Sequence, residues 1–363
     1  MASDKERIEE LKRLISDSKY NKATQHAIGR YKAQLAKLKE KVAQKEKGTG
    51  DTSGYHVEKT GDATVVLLGF PSAGKSTLLN ALTGAESEIG SYDFTTLSVE
   101  PGVLKHRGAQ LQILDVPGIV EGASNGKGRG REVLSVLRSA DLVAVIVDGT
   151  RPDRHEVILE EIHDVGIRLD QDEPDVKISK KGKDGLSIAS TVALEPSEEQ
   201  LKEALRGYGI PNADVVIRDP VSIDQFIDCI EGNKHYVPSV TVLNKADLLT
   251  DDQRQSAAEK VSADGIISAS EKEGLDDLKD LFFDSLNLIR VYLKEPREDP
   301  DRDDPLIVKA GASVEDVCRA VHRDVADDFR HARIWGESAA FEGQRQGLDH
   351  RVSDEDVVEL HTR

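Results

Sequence analysis

The amino-acid sequence predicts an α/β fold with a mostly parallel sheet. Four short apolar runs, at residues 64–68, 111–114, 141–148 and 240–243, have the composition of buried strands. Segments with helical periodicity separate them. Strands that alternate with helices form parallel sheets whose carboxyl ends meet at one edge. We therefore expect the functional site at that edge, in the loops that follow these strands.

A glycine-rich loop follows the first strand. Residues 69–76, Gly-Phe-Pro-Ser-Ala-Gly-Lys-Ser, fit the phosphate-binding pattern G-x-x-x-x-G-K-[ST], and a helical run begins at its end. In such a P-loop, backbone N–H groups and a helix N-terminus converge on phosphate oxygens. Lys75 is expected to contact the β- and γ-phosphates, and the Ser76 hydroxyl to hold Mg²⁺. The predicted phosphate-site residues are Gly69, Pro71, Ser72, Ala73, Gly74, Lys75, Ser76 and Thr77.

The motif N-K-x-D at residues 244–247 predicts which base is bound. The Asp247 carboxylate can accept hydrogen bonds from N1–H and the 2-amino group of guanine, a pair that adenine lacks, and such a site strongly rejects the wrong base. Asn244 suits the far edge of the ring and a bond to the P-loop, while the Lys245 stem can cover the base face. The backbone of Ser268, Ala269 and Ser270, after a last short strand, is expected to bind the guanine O6. The predicted ligands are GTP and GDP.

Two further elements, between the P-loop and N-K-x-D, are expected to sense Mg²⁺ and the γ-phosphate. One strand ends in Asp115-Val-Pro-Gly118, where Asp115 can hold the Mg²⁺ shell through water and the Gly118 N–H can contact the γ-phosphate. The segment Tyr92-Asp-Phe-Thr-Thr-Leu97 carries the threonine that closes on Mg²⁺, and we favour Thr96 over Thr95. The predicted metal ligands are Ser76, Thr96 and Asp115, and the predicted catalytic residues are Lys75, Thr96 and Gly118.

The residue after Gly118 predicts slow chemistry. Ras-like enzymes place a water-orienting glutamine directly after this glycine, whereas this chain has Ile119, which cannot hydrogen-bond to water. Slow unaided hydrolysis is expected unless a partner, an ion or another residue supplies the function. The basic, glycine-rich segment 121–131 has two interpretations. It is a flexible switch loop with solvated charges, or a loop from which Arg129 or Arg131 reaches the phosphates or a partner.

The segments GFPSAGKSTLL, YDFTTL, DVPGIVEGAS-x-GKGRGR and NKAD together resemble the developmentally regulated GTP-binding proteins (DRG), a branch of the Obg-related GTPases. The resemblance covers nearly the whole chain. Obg itself is a poorer match, because this sequence lacks its glycine-rich N-terminal domain. The resemblance implies an archaeal member of the family, GTP hydrolysis and association with translating ribosomes. It leaves open an accessory regulatory protein and activation by K⁺, since K⁺-binding relatives usually carry asparagine where this chain has Ser72.

Other classes of nucleotide-binding protein share parts of this pattern. A metabolic kinase also uses a P-loop but has no role for N-K-x-D, and a purely structural nucleotide binder would lack the Mg²⁺ ligands. Within the GTPase interpretation, the alternative is a non-ribosomal regulatory GTPase, or an RNA-binding module whose GTP hydrolysis is only a conformational timer.

The interval between the strand at 141–148 and N-K-x-D is longer than the single helix that a minimal GTPase needs there. Residues 167–235 are therefore predicted to form an inserted α+β subdomain. It is expected to contain a β-hairpin over 176–190 and two helices that follow Ser197 and Ser222. The resemblance places an inserted domain here, similar to RNA-binding folds, which favours a ribosomal contact.

The two ends of the chain predict separate modules. Residues 1–47 show helical periodicity and hold 13 Lys and Arg against seven Asp and Glu, while the whole chain carries −18. A basic tip on an acidic body is expected to meet a polyanion, with RNA favoured. The hairpin is either a helix-turn-helix-like module that touches RNA or a plain hairpin packed on the GTPase domain. The acidity of the rest is also what a high-salt cytoplasm would favour.

The C-terminal residues resemble the TGS domain, a β-grasp module of translation proteins. An amphipathic helix is predicted over 314–329, with strands at 332–335 and 357–360, and Trp335 is expected to anchor the core. The predicted domains are a helical hairpin (1–47), a linker (48–60), the GTPase domain (61–166 and 236–290), the insertion (167–235) and the TGS-like domain (291–363).

Cysteine content and hydropathy predict the compartment. Cys229 and Cys318 are far apart and have no C-x-x-C partner, so we expect reduced, buried thiols and neither disulfide nor zinc site. The sequence has no apolar run near the ~18 residues that span a bilayer. Its first residues lack the apolar stretch of a secretory signal. A cytoplasmic protein without a membrane partner is therefore expected.

Overall fold

The computed structural model describes residues 4–17, 31–38, 60–83, 100–116 and 135–362. The chain forms two compact units. One comprises Met1–Ser53 and Gly166–Tyr236, and the other comprises Gly54–Val165 and Val237–Arg363. None of the helices in the described ranges has both the length and the apolar character needed to cross a membrane.

The secondary structure alternates strands and helices in the central part of the chain. In the described ranges the strands are β1 (Ala63–Leu68), β2 (Glu100–His106), β3 (Ala109–Asp115), β4 (Leu142–Asp148), β5 (Ile167–Leu169), β6 (Val176–Lys180), β7 (Leu186–Ser190), β8 (Ala213–Ile217), β9 (His235–Val237), β10 (Ser239–Asn244), β11 (Gly265–Ile266), β12 (Leu288–Leu293), β13 (Leu306–Lys309), β14 (Phe329–Trp335), β15 (Gln344–Gln346) and β16 (Asp356–Thr362). The helices are α1 (Asp4–Asp17), α2 (31–38), α3 (Lys75–Thr83), α4 (Arg154–Asp164), α5 (Glu198–Gly207), α6 (Ile223–Glu231), α7 (Asp251–Val261), α8 (Leu275–Ser285), α9 (Val314–Val321) and α10 (Arg323–Asp327), and residues 135–137 are helical as well.

A six-stranded sheet in the order β11-β10-β4-β1-β3-β2 forms the centre of the second unit. All of its pairs are parallel except β2 with β3, so the predicted α/β class is confirmed. Every residue of β1 is buried, as expected for a parallel strand covered on both faces. Leu78 and Leu82 of α3 and Leu278 and Phe282 of α8 belong to the hydrophobic core of this sheet. This packing fixes the loops at the carboxyl ends of the strands.

The insertion contains a three-stranded sheet in the order β6-β8-β7, packed on α5 and α6. The predicted hairpin over 176–190 is therefore wrong in its pairing. Asp184 and Gly185 adopt the positive φ angles of a tight turn, 80° and 72°, but β8 lies between the two strands and pairs with both. Alternate residues of β8 are buried, whereas β6 and β7 have none buried. The more apolar strand, β8, lies in the centre of the sheet. The residues of the Asp184-Gly185 turn do not predict this position.

Helix α2 packs against the insertion. Lys32 Nζ donates to Asp224 Oδ2 at 2.6 Å, and Lys37 Nζ donates to the Gly207 carbonyl at 3.3 Å. Ala33 is fully buried, and its Cβ would lie 3.0 Å from a Cβ on Gly207. The described part of the predicted hairpin therefore contacts the insertion, and its packing on the GTPase domain stays a prediction.

The C-terminal domain is built on a five-stranded sheet in the order β13-β12-β16-β14-β15. The predicted helix over 314–329 is interrupted at His322, where φ is −167° and ψ is 147°, and Phe329 already begins β14. His322 is the N-cap residue of α10 and accepts a hydrogen bond from the Asp324 N–H. Helix α9 ends just before it, and Val314, Val317 and Cys318 of α9 are buried in the core. The predicted boundary between residues 290 and 291 falls inside β12.

Trp335 is half-buried rather than central to the core. Lys294 Nζ lies 5.0 Å from its ring centroid, and a Cβ on Gly343 would lie 3.3 Å from the ring. The two cysteines are free thiols, and burial raises the pKa of both Cys229 and Cys318 to about 11. Cys318 is buried as predicted, whereas Cys229 is half-buried.

The tip of the β2–β3 hairpin contacts helix α8. His106 Nε2 lies 2.7 Å from Asp280 Oδ1, and Arg107 contacts the same carboxylate oxygen at 2.6 Å. The hydrogen bond from His106 holds the pKa of Asp280 below its ordinary value, with Arg107 adding to the effect against slight burial. At Gly108 the chain passes so close to Pro305 that a Cβ would overlap the proline ring.

A buried ion pair joins β5 to α6 within the insertion. Arg168 of β5 donates from Nε and Nη2 to the two oxygens of Asp228 of α6, at 2.6 and 2.8 Å. Both side chains are buried, and bidentate pairs of this kind are the strongest in proteins. Burial, and then the charge of Asp228, raises the pKa of the adjacent Tyr236 to about 12.

Removal of the arginine from this pair should destabilise the insertion. In Arg168→Met the Asp228 carboxylate stays buried and loses both hydrogen bonds from the guanidinium, and it keeps only the longer contact with Lys234, whose Nζ lies 3.9 Å from Oδ1. Breaking a buried ion pair typically costs about 3–5 kcal/mol. Hydrogen exchange of the insertion under native conditions would measure the loss. The double variant Arg168→Met/Asp228→Leu should recover most of it, because apolar residues replace a buried pair with little cost. Equal destabilisation of single and double variants would show that lost packing, rather than the unpaired charge, is responsible.

Candidate nucleotide-binding site

The loops that carry the predicted motifs meet at the carboxyl edge of the six-stranded sheet. They follow β1, β3, β4, β10 and β11, which are neighbours in the order β11-β10-β4-β1-β3. Ligands of open α/β sheets bind at this edge. The structure thus brings the P-loop, the D-x-x-G aspartate and the N-K-x-D motif together, as the spacing in the sequence predicted.

The P-loop has the backbone geometry of an anion-binding nest. Ser72 and Gly74 have positive φ angles of 65° and 92°, and α3 begins immediately afterwards at Lys75. The first N–H groups of a helix have no partner within it and attract anions. A Cβ would overlap the Ile146 carbonyl at Gly69 and the Asn244 amide at Gly74. Gly69 is therefore required by the close approach of backbone, and Gly74 by its positive φ and the close approach of the Asn244 side chain.

Lys75, Ser76 and Asp115 form the polar centre of the phosphate half. Ser76 Oγ donates to Asp115 Oδ2 at 2.6 Å, and Lys75 Nζ donates to the Gly69 carbonyl at 3.2 Å. Lys75 Nζ and Asp115 Oδ1 are 3.9 Å apart, too far for a hydrogen bond. Burial lowers the pKa of Lys75, and the Asp115 charge opposes this shift. The ammonium is thus held in a buried position by weak acceptors, which phosphate oxygens can replace.

Asp115 provides a test of whether the site suits Mg²⁺. Its Oδ1 is buried and accepts no hydrogen bond from the described residues. A buried carboxylate oxygen without a donor is costly and matches a position filled by a metal-bound water. Hydroxyl and carboxylate oxygens are the ligands that Mg²⁺ prefers. In the described ranges no group of three or more His, Cys, Asp or Glu could hold a metal ion.

Asn244 connects the phosphate half of the site with the base half. Its Nδ2 donates to the Ala73 carbonyl of the P-loop at 2.8 Å, and its Oδ1 accepts from the Ala269 N–H at 3.1 Å. The side chain is 1% exposed. The Asn244 amide thus hydrogen-bonds to two different loops. Of these two bonds, only the one to the P-loop was predicted. The Ala269 N–H, which was predicted to contact the base, instead hydrogen-bonds to Asn244.

The base half is preformed by hydrogen bonds among its own side chains. Asp247 is exposed, and its Oδ1 accepts from Ser268 Oγ at 2.6 Å. Ser268 Oγ in turn lies 3.2 Å from Ser270 Oγ. The sequence predicted only backbone contacts for these serines, whereas the structure uses the Ser268 hydroxyl to orient the carboxylate. None of the described residues donates to Asp247 Oδ2, which leaves that oxygen for a ligand.

Sequence reasoning missed two polar residues at this edge, Asp148 and Arg154. Lys245 Nζ donates to Asp148 Oδ2 at 2.7 Å. The Arg154 guanidinium lies 4.9 Å from the ring centroid of Phe70, inside the P-loop. Asp148 ends the buried strand β4 just as Asp115 ends β3, so its place at a strand end was the available signal.

Several predicted residues lie outside the part of the chain that the structure describes. These are Thr95, Thr96, Gly118, Ile119, Arg129 and Arg131. The predictions for the second Mg²⁺ ligand, the γ-phosphate contact and the basic switch therefore stay predictions.

Three family models match consecutive parts of the chain. The 50S ribosome-binding GTPase family matches residues 64–180, the C-terminal region of the same domain type matches residues 183–288, and the TGS domain matches residues 289–362. An uncharacterized GTP-binding protein of Methanocaldococcus jannaschii is 48% identical over 97% of this chain and 92% of its own length. A GTP-binding protein of Halobacterium salinarum is 42% identical over 99% of both chains. Human developmentally-regulated GTP-binding protein 2 is 41% identical over 98% of both chains.

Substitution of Gly74 should separate the two halves of the site. In Gly74→Ala the Cβ would overlap Asn244 Nδ2, and φ at this residue is +92°. Loss of the buried hydrogen bond from Asn244 to Ala73 costs about 1–3 kcal/mol. We therefore expect GDP affinity, measured with a fluorescent analogue, to fall by roughly 5- to 150-fold.

Gly209→Ala is the matched control for this test. Gly209 also has a positive φ, +75°, but no heavy atom lies within 4 Å of the position that a Cβ would take there. The control therefore introduces the backbone strain without the overlap, and GDP should bind as in the unmodified protein. Unchanged affinity in Gly74→Ala would contradict a tie between the two loops.

Proposed function

This chain belongs to the developmentally regulated GTP-binding protein family, and we propose that it is a Mg²⁺-dependent GTPase switch that acts with ribosomes in translation. The buried Asp115 Oδ1 supports Mg²⁺ dependence most directly, since it lacks a donor among the described residues and lies beside Ser76 and Lys75. The family description of a 50S ribosome-binding GTPase and the TGS match favour the ribosome as partner. Such a protein would act in the cytoplasm.

The phosphate half assigns a role to each of its side chains. Lys75 would exchange the Gly69 and Phe70 carbonyls, 3.2 and 3.5 Å from its Nζ, for the β- and γ-phosphates of GTP. Ser76 and Asp115, with Thr96, would hold Mg²⁺, which when bound neutralises charge on the phosphates. The first-turn N–H groups of α3 would stabilise the same oxygens. These groups position the substrate and offset developing charge.

The base half would select guanine. Ser268 holds Asp247 through Oδ1, and the second lone pair of Oδ1 together with Oδ2 can accept from the guanine N1–H and 2-amino groups. Asn244 keeps this half at a fixed spacing from the P-loop. The backbone at Ser270 is proposed to contact O6, because the Ala269 N–H already hydrogen-bonds within the protein.

The chemical step would be slow without help. Ile119 replaces the glutamine that orients water in Ras-like enzymes, and the proposal assigns the missing stabilisation to the ribosome or an accessory regulatory protein. The basic residues of the N-terminal segment and of the insertion are proposed to contact RNA. K⁺ is a further candidate cofactor. Ser72 occupies the position at which K⁺-binding relatives usually carry asparagine.

Asp247→Asn should exchange guanine for xanthine specificity. The amide supplies the donor that the 2-oxo group of xanthine requires and removes the acceptor that guanine requires. Sites of this kind discriminate by ~10⁴–10⁵, so GTP affinity should fall at least ~100-fold while xanthosine triphosphate binds more tightly. Competition binding with GTP, xanthosine triphosphate and ATP would measure this. The control is Asp252→Asn, on the exposed start of α7, and unchanged GTP affinity in Asp247→Asn would refute the assignment of the base site.

Single-turnover hydrolysis of GTP should be slow alone and faster with archaeal ribosomes. Stabilisation supplied in trans raises related rates by ~10³–10⁵. Ser76→Asn should abolish the Mg²⁺-dependent reaction under both conditions, because a carboxamide cannot replace the hydroxyl ligand. Ser187→Asn, on exposed β7, is the control. A rate that requires Ser76 but ignores ribosomes would favour a regulatory GTPase with another partner, and full activity in Ser76→Asn would exclude the P-loop as the active site.

A further inference from the structure

We propose that Asp148 is a positioning residue of the guanine site, which holds the Lys245 ammonium so that the lysine stem covers the face of the base. The inference rests on the proposed guanine specificity. It adds an acidic residue from outside the N-K-x-D motif, on a different strand and 97 positions away in sequence.

The register of the sheet brings the two side chains together. Asp148 is the last residue of β4, and it lies opposite Asn244, the last residue of β10. Lys245 follows immediately, and its Nζ donates to Asp148 Oδ2 at 2.7 Å. Both side chains are largely shielded, at 16% and 28% exposed, so this pair is screened less than a fully exposed one.

The carboxylate is itself held from the other side. Thr150 donates to Asp148 Oδ1 from its hydroxyl at 2.7 Å and from its N–H at 2.9 Å. Burial works against ionisation, but the hydrogen bonds from Lys245 and Thr150 keep the pKa of Asp148 below its ordinary value. The Gly149 N–H donates to the Asn244 carbonyl at 2.9 Å. Asp148 is thus a fixed anion next to the base loop.

The backbone of Lys245 is fixed as well. Its φ is 65°, in the left-handed region, and the next N–H, of Ala246, donates to the Ile267 carbonyl at 3.0 Å. With its backbone and its ammonium both held, the four-carbon stem between them has little freedom. A free lysine loses side-chain entropy when it is ordered, and Asp148 imposes that order before the nucleotide binds.

This arrangement makes a specific prediction about which ligands respond. The stem covers the ring face, which guanine and xanthine share, whereas Asp247 recognises the ring edge. Neither Asp148 nor Lys245 is among the residues assigned to the phosphates. Loss of Asp148 should therefore weaken GTP and GDP by the same factor.

A double-mutant cycle tests the proposal. Asp148→Ala should weaken GTP and GDP binding by about tenfold each, close to the value expected for a hydrogen bond to a charged group. Lys245→Met keeps an apolar stem and removes the ammonium, so Asp148 has no partner in that background. Adding Asp148→Ala to Lys245→Met should then change affinity less than twofold. Equal effects of Asp148→Ala with and without the lysine ammonium would overturn the proposal.

Asp153→Ala is the matched control. Asp153 also pairs with a lysine, Lys260, but both of these side chains are exposed and neither belongs to the base loop. The Asp153→Ala variant removes an Asp–Lys pair that does not contact the base loop. Its nucleotide affinity should therefore equal that of the unmodified protein. Thermal unfolding of the nucleotide-free protein measures how far Asp148 also stabilises the fold, and the predicted loss of affinity should exceed the loss in the Asp153→Ala control. A large drop in melting temperature without a change in affinity would assign Asp148 a structural role alone.

A second background separates this inference from the proposed function. In Asp247→Asn, addition of Asp148→Ala should weaken xanthosine triphosphate by the same factor as GTP in the unmodified protein, because the ring face is unchanged. If Asp247→Asn fails to change base preference, the guanine site itself is wrong. If the preference changes but Asp148→Ala leaves both affinities intact, only the role of Asp148 is wrong.

Discussion

The geometry of the site depends on one buried amide, that of Asn244. Its nitrogen holds the Ala73 carbonyl of the P-loop and its oxygen holds the Ala269 N–H beyond β11. Because the side chain is almost fully buried, water cannot replace either bond, and a lost bond leaves an unsatisfied group that costs about 1–3 kcal/mol. The distance between the phosphate loop and the base loop is therefore set by the protein and not by the nucleotide.

The hairpin β2–β3 extends this constraint towards the C-terminal domain. At one end, β3 carries Asp115, which bonds Ser76 of the P-loop. At the other end, His106 and Arg107 hold Asp280 of α8, and Gly108 lies against Pro305. A single antiparallel pair of strands thus spans from the phosphate half of the site to the segment that leads into β13. Any displacement of β3 along its axis would strain contacts at both ends.

Local patterns in the sequence predicted most of the fold and the motif residues, because strand composition and loop motifs depend on neighbouring residues. Contacts between segments that are distant in the sequence were not predictable in the same way. The turn at Asp184 and Gly185 forms, yet β8 separates the strands on either side of it. The pair of Asp148 with Lys245 depends on the register of β4 against β10. The interruption of the predicted helix at His322 depends on how the residues of α9 pack in the core of the C-terminal domain.

The two halves of the site differ in what they lack before a nucleotide arrives. In the base half, Asp247, Lys245 and Asn244 each have a protein partner, so the recognition geometry exists in advance and little ordering is needed on binding. In the phosphate half, Asp115 Oδ1 is buried and has no donor among the described residues. A metal-bound water at this position would satisfy that unpaired atom. A chain of net charge −18 can bind a polyphosphate because the local donors of the P-loop, and not the summed charge, set the potential at the ligand.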